Sequence, residues 1–222
     1  MQLLRGCDDD ATALSIAITR QQAGGKSSLA GRMVLCSVGI GQLAKVERVR
    51  APFAHLPLVL VKASAALART ILHWLEETFD CAVTPMALTP QDMAWIATEW
   101  AAPAATDKAL AQRPLTLQYG VPGDGSLQTI SYSVDPASIR ALQERLAGGD
   151  DDTALLRALE KHFAAEFSVD LTKMTLARVG TYAVYIGADG RAKFLPLPDT
   201  CATATLHALK YFTYVATRPP TT

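Results

Sequence analysis

The chain has no net charge: 21 Lys and Arg balance 21 Asp and Glu over 222 residues, so no global field draws it to a polyanion or an anionic membrane. Aromatic residues are scarce at 7%, but half the composition is apolar, which is ample for a buried core. Only four cysteines occur, Cys7, Cys36, Cys81 and Cys201, and none forms a C-x-x-C pair. Cys36 and Cys81 sit in apolar runs, as buried thiols do, so neither disulfides nor zinc are expected and a reducing compartment fits. No apolar run reaches the roughly 20 residues of a membrane span. The opening MQLLRGCDDD has no signal-peptide hydrophobic segment, and together these absences point to a soluble chain. His55, His73, His162 and His207 are scattered and form no metal-binding pair. No base, nucleophile and orienting group converge, so no catalytic residue, cofactor or metal is expected and the chain reads as a non-enzyme.

What is present is an uneven charge distribution and an alternation of strand and helix patterns. Residues 1–62 hold eight bases against four acids, and residues 63–126 three against seven. ATALSIAITR alternates as a half-buried strand does and pairs with the apolar GRMVLCSVG across a long turn. LPLVLVK is β-branched enough to be a central strand. Residues 64–79 place Leu67, Ile71, Leu72, Leu75 and Phe79 on one helical face, with Ser64 as N-cap. DCAVTPMAL reads as a short strand. Thr89 and Pro90 then open a second helix, whose Met93, Ile96, Ala97 and Trp100 share a face. The alanine-rich 102–113 reads as a linker or irregular helix.

PLTLQYG and LQTISYSV predict an antiparallel pair, and Asp135-Pro136 opens a helix to about Leu146. Residues 153–167 form an amphipathic helix. LTKMTLARVGTYAVYIG becomes a strand toward its end, ADG turns it into RAKFLPL, and a last helix runs from about Asp199 to Ala216. Hairpins mixed with crossovers favour an α+β fold, with mixed or antiparallel sheets and flanking helices, over a doubly wound parallel sheet. A division into an N-terminal part, 1–113, and a C-terminal part, 114–222, is expected.

Two phosphate-loop patterns need weighing. VLCSVGIGQLAK carries Gly39, Gly41 and Ala44 at the G-x-G-x-x-A spacing of a dinucleotide site. Such a site needs a full helix facing the pyrophosphate and an acid ending the next strand. Here Pro52 cuts the helix short and the next strand ends in Lys62. AGGKSS has the tail of a P-loop, but Arg20 stands where its first glycine is required. Neither pattern supports nucleotide binding. The acidic runs Asp8–Asp10 and Asp150–Asp152 read as solvated turns.

HWLEETFDCAVTPMALTPQDMAWIATEW, residues 73–100, resembles the central segment of the centromere protein L (CENP-L) family. That family shows a helix ending W-x-x-x-T-F-D-C, a short piece with Pro, and a helix with a W-(M/I)-A tract. Here these are Trp74, Thr78, Phe79, Asp80, Cys81, Pro85, Leu88, Met93, Trp95, Ile96, Ala97 and Trp100. The similarity runs in order over most of 11–216, although animal members carry a long N-terminal extension ahead of it. The resemblance implies a fold shared with the partner CENP-N and distantly with RdgC, a bacterial ring-forming DNA clamp. It implies a structural subunit of the inner kinetochore, in the nucleus at the centromere, that pairs with CENP-N and contacts CENP-C and the CENP-H/I/K/M group. In that reading Gly39 and Gly41 line a strand-to-helix turn and ligate nothing. A homodimeric DNA clamp of the RdgC kind is the rival.

Two sets of site residues follow. The C-terminal hairpin and last helix are apolar on both faces and suit pairing with a similar sheet, possible also between two copies of this chain. Its candidates are Tyr182, Val184, Tyr185, Phe194 and Phe212. The basic first third offers Lys26, Arg32, Lys45, Arg48 and Arg50 for a weak, sequence-independent DNA contact.

Overall fold

The computed structural model describes residues 10–21, 25–39, 55–101, 113–123, 128–146, 151, 153–196 and 202–218. The order is β1 (Leu14–Gln21), β2 (Ser27–Cys36), β3 (Leu58–Lys62), α1 (Ala65–Phe79), α2 (Pro90–Glu99), β4 (Leu115–Gly120), β5 (Thr129–Val134), α3 (Pro136–Leu146), α4 (Ala154–Phe167), β6 (Thr175–Gly180), β7 (Val184–Gly187), β8 (Ala192–Phe194) and α5 (Ala202–Thr217). The fold is α+β, with two antiparallel sheets ordered β1-β2-β3 and β5-β4-β6-β7-β8. The residues pack as two compact units, Met1–Thr84 with Leu206–Thr222, and Pro85–Thr205. Helix α2, although N-terminal to residue 113, packs with β6 in the second of these.

In the first unit β1 and β2 pair as the alternation requires, with a bulge where Ile18 faces Gly31 and Thr19 faces Leu29. β2 is the central strand and β3 lies at the end of the order, which corrects the expectation of a central β3. Composition alone misleads here, because β3 takes its apolar demand from the helix over it. Met33, Ile71 and Leu75 form the core, with Ile18, Leu35, Val59, Val61, Leu67 and Val83 packed around them. Full burial of such a side chain stabilises by about 1.5–3 kcal/mol. Ser64 caps α1 by accepting from Leu67 N–H, and Asp80 ends the helix in the left-handed region. Phe79, expected on the buried face, is instead 64% exposed and meets Trp74 edge to face. It is the last residue of α1, immediately before the left-handed Asp80.

Residues 81–89 form no strand. Val83 N–H donates to the Glu76 carboxylate, while in the second unit Leu88 N–H donates to Ala188 O, so single bonds replace a ladder. Thr89 and Asp92 make a reciprocal capping box at the start of α2, with Pro90 in the first turn. Met93, Ile96, Ala97 and Trp100 are all buried, as their spacing predicts. Helix α2 packs on β6 and on α4, and α3 packs on α4. The residues these helices cover on the sheet include Leu115, Leu117, Tyr119, Val179, Val184 and Ile186.

The run from Thr175 to Gly187 is two antiparallel strands rather than one. Thr181 breaks it: its hydroxyl accepts from Ala183 N–H and Val184 N–H and donates to Val184 O. Arg113 clamps the result, its guanidinium donating to Tyr182 O at 3.0 Å and Pro196 O at 3.2 Å.

Candidate functional site

The described start of the glycine pattern that resembles a dinucleotide loop, Val38 and Gly39, has its backbone N–H groups taken by protein side chains. Gly39 is left-handed, at φ +71°, and its N–H donates to the Asp10 carboxylate at 2.7 Å. Val38 N–H donates to the buried hydroxyl of Thr213 at 3.2 Å. The side chain of Lys210 lies where a Cβ on Gly39 would fall. A carboxylate thus takes a donor that a bound phosphate would need. Asp10 is therefore a structural bond acceptor instead of part of a solvated turn. Gly41 and Ala44 lie outside the described residues. Among the described residues no group of His, Cys, Asp and Glu is placed to hold a metal ion. No helix there is long and apolar enough to cross a membrane.

The perturbed titratable pair sits on the helical side of the second sheet. Tyr119 OH donates to Glu160 Oε1 at 2.9 Å. Burial, then the Glu160 charge and the hydrogen bond, push the phenol far above its ordinary range. Burial also raises the Glu160 carboxyl, partly offset by the Tyr119 hydrogen bond. This couples β4 to α4.

The opposite face of that sheet is open and polar. One row across the strands reads Ser133, Thr116, Gly180, Tyr185, Lys193, and the next reads Ser131, Gln118, Arg178, Gly187. Arg191 follows at the foot of the β7–β8 turn, where it pairs with Asp189 at 3.6 Å. No carboxylate stands in either row. The residues of both rows except Ser133, together with Arg191, line a cleft of about 340 Å³. Tyr185 is 42% exposed, and its ring lies against Gly180: a Cβ there would come within 2.2 Å of Tyr185 Cε1.

The proposed pairing residues are dispersed by this geometry. Val184 and Phe212 are 0% exposed, so they pack the interior and offer no contact surface. Tyr182 is half-buried in the Thr181 turn. Phe194 faces the same side as Val184, on the last strand of the sheet order, and Tyr185 faces the open side. Among the DNA candidates, Lys26 and Arg32 are exposed, Arg32 beside Lys62 in register. Lys45, Arg48 and Arg50 lie outside the described residues. Sequence reasoning missed Arg178, Arg191 and Lys193. The signal of Arg178 and Lys193 was an outward polar position in a strand, and that of Arg191 a cation beside the β7–β8 turn, but only strand order brings them together.

The centromere protein L family model matches residues 9–215. The chain belongs to the centromere protein L family. Its relatives include centromere protein L of Xenopus tropicalis, 30% identical over 146 residues, 63% of this chain and 41% of that protein. The Gallus gallus protein is 25% identical over 202 residues, 86% and 57% of the two chains. The Homo sapiens protein is 26% identical over 177 residues, 77% and 49%. The chain spans about half the length of the curated relatives it matches. This centromere protein L family member meets the expected fold class and the expected resemblance, from β1 into α5.

Proposed function

We propose that the chain is a non-enzymatic structural subunit of the inner kinetochore, nuclear and centromeric, that pairs with CENP-N and supports assembly on centromeric chromatin during chromosome segregation. Family membership over residues 9–215 is the observation that carries this reading. The five-stranded sheet ends in the short strand β8, where a second sheet of similar fold can add edge to edge, with Phe194 on its rim. CENP-C and the CENP-H/I/K/M group would join through the assembled pair. A second copy of this chain would use the same edge when CENP-N is absent. Arg32 and Lys62 are like charges directly opposite each other on β2 and β3, an arrangement that a phosphate backbone relieves.

Co-purification of the full chain with CENP-N tests the pairing. A complex is expected, and Phe194→Asp should weaken it more than any single charge change in residues 1–62, with the variant's melt unchanged. Failure to form a complex removes the pairing, and normal binding by the folded variant places the interface away from β8. In the complex, Arg32→Glu with Lys62→Glu should weaken DNA binding and flatten its salt dependence.

A further inference from the structure

We propose that the open face of the five-stranded sheet binds single-stranded nucleic acid, with a base stacked on Tyr185 and neighbouring phosphates held by Lys193 and Arg178. This goes beyond the scaffold reading and needs no CENP-N, since edge pairing at β8 leaves the face uncovered.

The first support is the ring itself. An exposed tyrosine on a strand usually stands away from the sheet. Tyr185 instead lies over a glycine on the neighbouring strand, Gly180 being its register partner, and a side chain at that position would collide with it. The ring is held from beneath and presents a surface to solvent, as a stacking platform does. The second support is charge. Lys193 is directly opposite Tyr185 on β8, and Arg178 is two residues from Gly180 on β6. Cations thus flank the ring on both sides, each exposed and, among the described residues, in no ion pair. Arg191 adds a weaker contribution, because Asp189 shares its charge.

The third support is the remainder of the face. Gln118, Ser131 and Thr116 put amide and hydroxyl groups beside the platform, able to meet base edges, and Thr116 and Ser133 hydroxyls are within 3.2 Å of each other. The cleft, about 340 Å³, is of small-ligand size. Single strands are selected over duplex because paired bases hide their faces in the helical stack, leaving the ring with nothing to stack on. Salt-dependent phosphate contacts would remain for duplex, but without the aromatic share of the affinity.

Fluorescence anisotropy of the full chain tests this, with labelled oligouridylate and oligothymidylate of about ten nucleotides and a duplex of equal length. Both single strands are expected to bind more tightly than the duplex, and the two arms separate an RNA from a DNA ligand. Tyr185→Ala should weaken single-strand binding about fivefold to a hundredfold, while Tyr185→Phe stays within about twofold. Lys193→Ala should reduce the slope of log affinity against log salt by about 0.7. A 4-thiouridine oligonucleotide should cross-link to Tyr185. The proposal falls if no single strand binds, if duplex is preferred, if a phosphoserine peptide displaces the oligonucleotide equally well, or if Tyr185→Ala binds as the unaltered chain does with its melt unchanged.

Discussion

Gly190 closes the β7–β8 hairpin at φ +75°, and the carbonyl of Met86 presses on it from outside the hairpin. In Gly190→Ala the new Cβ would lie 2.1 Å from Met86 O and 3.1 Å from its carbonyl carbon, both backbone atoms with no rotamer to change. Two costs add. A left-handed alanine costs about 1–2 kcal/mol, and forcing an extra methyl against a packed backbone costs about 1–3 kcal/mol more. The sum, about 2–5 kcal/mol, lowers the melting midpoint by roughly 5–15 °C in a chain of this size. Gly25→Ala is the control: its φ is +78°, but among the described residues nothing lies within 4 Å of the added Cβ, so only the backbone cost applies. Chemical denaturation of the two variants measures the difference. Amide exchange at Leu88, whose N–H donates to Ala188 O beside the collision, should accelerate only in Gly190→Ala. Equal destabilisation in the two variants, with exchange at Leu88 unchanged, would refute the collision.

Tyr119→Phe should cost about 1.5–3 kcal/mol, because it removes a partly buried hydrogen bond to a carboxylate. Glu160 binds its proton more readily folded than unfolded, so its contribution to stability falls as pH rises from the unfolded value through the raised folded value. Losing the Tyr119 bond raises that folded value further, and the fall should extend to higher pH; a denaturation midpoint followed from acid to neutral pH checks it. Thr213→Val keeps the shape but strands Val38 N–H, and should cost about 1–3 kcal/mol in a thermal melt, against a smaller loss for Thr213→Ser.

Elements set by local chemistry were legible. Ser64, the Thr89-Pro90 start and Asp135 each declare a helix within four residues, and the alternation of β1, β2, β4 and β5 places them as hairpins. What the sequence hid depends on partners distant along the chain. The turn at Thr181 is invisible to alternation because one hydroxyl, bonding three backbone groups, overrides a continuous apolar run. The position of β3 within its sheet follows from strand order, not from its own residues. Val184 and Phe212 looked like interface residues because core and contact surface share a composition, and only burial separates them. The open polar face was missed for the opposite reason: Gln118, Arg178, Tyr185 and Lys193 are ordinary outward residues until register aligns them.

The first compact unit takes its residues from both ends of the chain, Met1–Thr84 and Leu206–Thr222, with the second unit, Pro85–Thr205, threaded between. The bond from Val38 N–H to Thr213 spans 175 positions. During synthesis, therefore, β1–β3 and α1 can pair as soon as they emerge, but the first unit stays incomplete until helix α5 brings Thr213 to Val38, after the whole second unit has been made. Local closure is fast and distant closure slow, so the unit that begins the chain is the last to be completed. A chain truncated after residue 205 would keep both sheets but leave Val38 N–H without the Thr213 hydroxyl, in a unit whose Leu14 and Ile16 are exposed even in the finished fold.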